Sequence, residues 1–79
     1  MRNTQKYIDR VCEYRGLPKV LKGMPCEVNG KTGKILGGNS SANFNVNFDD
    51  NNQVMNCHPY WKMKIFNLDG SIYYQHKED

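Results

Sequence analysis

The apolar positions of this chain change their period once. Between residues 4 and 15 they recur at helical spacing: Tyr7, Ile8, Val11 and Cys12 fall at i, i+1, i+4 and i+5 and form one stripe. Arg2, Lys6, Arg10 and Glu13 lie mostly on the other side. Thr4 or Asn3 suits the N-cap, Gly16 sits where a C-cap belongs, and Pro18 follows as a stop signal. These features predict a helix over 4–15. It is too short to be stable alone, so it must pack on another element.

From Met24 onward the period is two. Met24, Cys26 and Val28 alternate with Pro25 and Glu27, and Asn29-Gly30 signals a tight turn. Lys31 to Leu36 continues as a second strand, with Gly33 marking a bulge or bend. Gly37 to Ser41 has the composition of a loop. Phe44, Val46 and Phe48 then alternate strictly with Asn43, Asn45 and Asn47. After the Asp49–Asn52 turn, Gln53 to Cys57 returns as a strand that Pro59 ends. Trp61, Met63 and Ile65 alternate with Lys62 and Lys64, a turn follows at Asn67–Gly70, and Ile72 to Tyr74 is the last strand. Val20-Leu21 is either an extra strand or a loop packed across the mouth of the β domain, and the polar tail Gln75–Asp79 is expected to fray.

One helix followed by five or six short strands, with turns about every 8–12 residues, predicts a small sandwich or barrel. Closing the sheet would protect its edges, so the expectation is a single domain over 1–79, with the helix at about 4–15 and a barrel at about 20–75. Its predicted core is Ile8, Val11, Met24, Cys26, Val28, Ile35, Phe44, Val46, Phe48, Trp61, Met63 and Ile65. Trp61 in that phase is the largest core anchor; exposed, it would be the first candidate for a binding hot spot.

Composition narrows the class. The chain has 79 residues, 38% of them hydrophobic, which suits one small domain without a deep cleft. Ten asparagines fit a turn-rich fold. No apolar run reaches the ~20 residues of a membrane span, and no apolar segment follows Met1–Lys6 to make a secretory signal. The three cysteines are an odd number, which fits reduced thiols better than a disulfide framework. A cytoplasmic protein is expected.

Several residues resemble those of a known class. Gly23, Val28, Gly30, Lys31, Gly33 and Ile35 look like the opening of a KOW- or Tudor-type SH3-like small barrel. Cys57-His58-Pro59-Tyr60-Trp61 fits where such barrels place a one-turn helix. The resemblance covers roughly 22–66, with the helix outside it, and implies an SH3-like barrel; with the helix read above, the expected fold is a barrel of five or six antiparallel strands with one N-terminal α-helix. The Arg-Gly-Leu-Pro, Gly-Met and Cys-His-Pro-x-Trp runs are also similar to short uncharacterised proteins of tailed phages and prophages. That likeness implies phage encoding and the host cytoplasm, and carries no activity with it.

No reactive constellation passes a geometric test. Gly30-Lys31-Thr32 lacks the earlier glycine and the following helix of a phosphate loop, since position 25 is proline. Cys57 and His58 are adjacent strand residues and point to opposite faces, which opposes both a nucleophile–base pair and a metal site. A zinc set would have to draw on Cys26, Cys57, His58 and either Cys12 or His76, with no Cys-x-x-Cys spacing. Asp49 and Asp50 lack the glycine and terminal glutamate of a calcium loop. Without secretion, Asn39-Ser40-Ser41 is a plain loop. No enzyme activity, cofactor or metal is expected.

Basic and aromatic residues remain. Lys31, Lys34, Lys62 and Lys64 would form one patch if their strands lie close, with Tyr60 and Tyr73 as stacking faces. A basic groove beside aromatic platforms is how small barrels hold single-stranded nucleic acid. The net charge of +3 is modest for that role. Asn43, Asn45, Asn47 and Tyr74 would meet a partner. The expected function is binding of nucleic acid or of a nucleic-acid-handling protein. The alternative is a protein-interaction module or inhibitor that docks on a host protein. A monomer is compatible with both, as is a dimer paired through the edge strand Ser71–Tyr74.

Overall fold

The computed structural model describes residues 3–75. Arg2 and the expected frayed tail from His76 onward lie outside them, whereas Gln75, also expected to fray, ends a strand. The helix α1 spans Gln5–Arg15. Six strands follow: β1 Pro25–Val28, β2 Lys31–Gly38, β3 Phe44–Phe48, β4 Val54–Cys57, β5 Met63–Phe66 and β6 Ile72–Gln75. All neighbours are antiparallel, in one sheet of order β4-β3-β2-β1-β5-β6.

The helix begins where the cap signals place it. Thr4 is extended and its carbonyl accepts from Ile8 N–H, although its side chain makes no capping bond. Gly16 closes the other end in the left-handed region, and Leu17 N–H returns to the Cys12 carbonyl. Ile8, Val11 and Cys12 are buried against the sheet. Residues 17–21 are irregular, and Val20 within them is fully buried, so this stretch packs on the core as a loop. Gln5 holds it there: its Nε2 donates to the Val20 carbonyl at 2.7 Å and its Oε1 accepts from Lys22 N–H at 2.7 Å.

The strand phases follow the alternation. In antiparallel ladders, directly opposed residues share a face. The register sets Cys26 against Gly33 and Ile65, Ile35 against Val46, and Phe44 against Cys57. These are the inward positions, and they form the core with Val28, Phe48 and Met63. Burying each large apolar side chain stabilises by roughly 1.5–3 kcal/mol. Asn29 and Gly30 both have positive φ, 52° and 83°, as a tight hairpin turn requires.

Several expectations are corrected. The sheet is open, with β4 and β6 at its two ends, so the barrel does not close. Most strands are only four or five residues long, and α1 with Val20, rather than a closing ladder, completes the core cluster. The irregularity in β2 falls between Ile35 and Gly37, not at Gly33. Gly33 is needed for space: a Cβ there would lie 2.7 Å from the Asn47 carbonyl oxygen of β3. Trp61 is half exposed. Lys62 adopts φ 50°, which breaks the extended run before Met63, so Trp61 loses the phase of the strand. The segment before it is a turn closed by Trp61 N–H to the His58 carbonyl, not a one-turn helix. Met24 is only partly buried, packed against the core's margin.

Candidate nucleic-acid interface

Strand parity divides the four lysines. Lys31 opposes Val28 and so shares the inward phase, at the end of the ladder where the core opens to solvent. Lys34 opposes Pro25 and Asn47 on the outer face. Lys64 opposes Glu27 on that same face and pairs with it at 3.7 Å. Lys62 leaves the strand altogether and lays its Nζ 5.5 Å from the centre of the Trp61 ring. The structure therefore brings Lys31 and Lys62 to one mouth of the core and leaves Lys34 and Lys64 on the outer face.

The tyrosines and asparagines have internal partners. Tyr73 donates its hydroxyl to the Lys19 carbonyl at 2.5 Å. Tyr74, opposite Ile65, packs against the core, and burial raises its phenol above the usual range. Tyr60 donates to the Arg15 carbonyl at 2.5 Å. Asn43 is buried and accepts from Arg15 Nη2 at 3.1 Å. Asn45 bonds Asn3 and the Gly38 carbonyl and accepts from Asn39 Nδ2. Asn47 Nδ2 donates to Asn52, while its Oδ1 is buried without a partner among the described residues.

A different basic and aromatic surface is assembled instead. Tyr7, Arg10, Val11 and Tyr14 recur at i, i+3, i+4 and i+7 on α1 and, with the 39–42 loop, line a cleft of about 560 Å³. Arg10 lies over the Tyr7 ring at 5.2 Å. Arg15 lies between two rings, 5.7 Å from Tyr14 and 5.4 Å from Tyr60. Its guanidinium is fixed by the carbonyls of Ala42 at 2.9 Å and Ser41 at 3.2 Å. Tyr60 in turn meets the His58 ring at 5.4 Å, and Trp61 with Lys62 follows in the chain. Cations and rings thus alternate from α1, past the 39–42 loop, to the turn before β5. Each such pairing is worth ~0.5–1 kcal/mol at an exposed site.

The belt ends at an apolar groove of about 440 Å³. Val28, Phe48, Met55 and Cys57 form its apolar lining, Trp61 flanks it, and Lys31, Asp50, Asn51 and His58 stand at its rim. Met55 opposes Val46 and so has inward phase, yet it is half exposed, because β4 has no further strand beside it.

The thiols are chemically quiet. Cys12, Cys26 and Cys57 are all free and buried. Burial raises each of them, and Cys26 is pushed up to about 12. They are neutral near pH 7, and a neutral thiol is a poor nucleophile. His58 Nδ1 accepts from Tyr60 N–H at 3.0 Å and so orders the bend after β4. Among the described residues no group of three or more His, Cys, Asp or Glu is placed to hold a metal ion. No described helix is long and apolar enough to cross a membrane.

Sequence reasoning assigns Tyr7 to the apolar stripe of α1, counts Arg10 and Arg15 only as charge on or near the helix, and passes over Tyr14, although the spacing of Tyr7, Arg10 and Tyr14 is a readable stripe. No family model, curated protein or solved structure matches this chain.

Proposed function

We propose that this protein is a non-catalytic binder of single-stranded nucleic acid, which lies along the belt from Tyr7 to Trp61. The observation that carries this reading is the recurrence of cation–ring pairs on α1, at Arg15 against Tyr60, and at Trp61. Unpaired bases stack on Tyr14 and Trp61, each worth about 1–3 kcal/mol. Phosphates approach Arg10, Lys31 and Lys62. Arg15 acts differently: its bonds to the loop carbonyls hold two rings in place. The net charge of +3 keeps affinity moderate. The strand order and the long β2, shared between β1 and β3, support reading the fold as an opened form of the SH3-like small barrel.

The test is fluorescence anisotropy with labelled single-stranded and duplex oligonucleotides at two salt concentrations. Trp61→Ala and Tyr14→Ala should each weaken single-strand binding about 5- to 150-fold. Changing Lys31 and Lys62 together to Glu should lower the salt slope by about 1.4, from about 0.7 for each phosphate no longer neutralised. Lys34→Glu changes the same kind of charge off the belt and should do little. Equal losses from Lys34→Glu, or no binding at low salt, would overturn the assignment. The exposed Trp61 and Met55 at an apolar groove favour a second reading, a protein-interaction module, and that is the account an absence of oligonucleotide binding would leave.

A further inference from the structure

The two edges of the sheet are not alike. The β5–β6 ladder carries a register shift between Ile65 and Phe66. The β3–β4 ladder runs without one. Natural sheets guard their edges with lysines, prolines, bulges or covering segments. Val54–Cys57 has no charge, no proline and no bulge, and Val54 and Met55 are 46% and 51% exposed. The open backbone groups can be named. Phe48 N–H bonds the Gln53 carbonyl. Antiparallel alternation therefore turns Gln53, Met55 and Cys57 toward β3 and leaves the N–H and C=O of Val54 and Asn56 facing outward.

We infer that this edge pairs with β4 of a second copy of the chain, antiparallel about a two-fold axis at Met55. Val54 then exchanges backbone bonds with Asn56 of the other copy, and the two sheets become one. Face parity holds, since a two-fold centred on a residue opposes inward positions to inward positions. The two Met55 side chains meet on the inward face, beside the groove. Charge also fits. The strand itself is neutral, so like residues meet without repulsion. Four residues a side make a small interface, so the dimer is weak and is sought over about 10–300 µM protein.

Sedimentation velocity across that range tests it without added nucleic acid. The wild type should move from monomer to dimer mass. Trp61, the single tryptophan, shares the groove with Met55 and should shift its emission to shorter wavelength over the same range. Met55→Lys should remain monomeric, and so should Met55→Glu. An equimolar mixture of the two should recover the dimer, because opposite charges then meet at the axis; a folding defect would not be rescued in this way. Ile72→Lys, on the β6 edge, should leave dimerisation unchanged. A wild type that stays monomeric at about 300 µM overturns the inference. So does a mixture that stays monomeric, or a dimer that Ile72→Lys dissolves and Met55→Lys does not.

Discussion

At Lys62 one residue decides the exposure of its neighbour. Strand alternation assigns Trp61 to the core only if the backbone stays extended through position 62, and lysine gives no local warning of a left-handed φ. That is why the groove was not legible in the sequence. The division of the lysines was legible in part, because positions 31 and 34 differ by an odd number and must fall on opposite faces of one strand. Gly38 is a second decisive residue. A Cβ there would overlap the Tyr7 carbonyl and lie 2.7 Å from Val11 Cγ2, so α1 rests directly on the strand. Gly38→Ala should cost about 1–3 kcal/mol, as overpacking does. Urea unfolding would measure it.

At the scale of elements, the loop between α1 and β1 has no secondary structure of its own and is held by side chains. Gln5 bonds Val20 and Lys22 from one side, and Tyr73 bonds Lys19 from the other. Gln5→Ala and Tyr73→Phe should each cost about 1 kcal/mol. Both should raise amide exchange in this loop more than in β3, which hydrogen exchange would resolve. The strands themselves were legible wherever period and burial agree, most clearly in Phe44–Phe48, where every second residue is buried. The site of the bulge was not. Gly33 carries the usual signal of a bend, but β1 and β3 both pair with β2 there, and the glycine serves close approach instead.

For the whole molecule, the number and order of strands could be read locally, but closure could not, because it depends on whether two distant edges meet. The buried thiols give the molecule a pH dependence with a definite sign. Cys26 rises from 9.0 toward about 12 on folding, so between those values the native state binds more protons than the unfolded one. Stability is therefore full below about pH 9 and declines as pH climbs toward 12. Cys12 and Cys57 act in the same direction. Denaturation midpoints at about pH 8 and about pH 10.5 should show the fall, and Cys26→Ala should flatten it while lowering the neutral-pH value. The Tyr73–Lys19 bond, across 54 residues, reaches further still. During synthesis the loop is made 54 residues before the side chain that bonds it from β6. Until Tyr73 is made, the loop has its bonds from Gln5 but lacks this one, so a nascent protein paused before β6 covers Val20 less securely against a chaperone or protease.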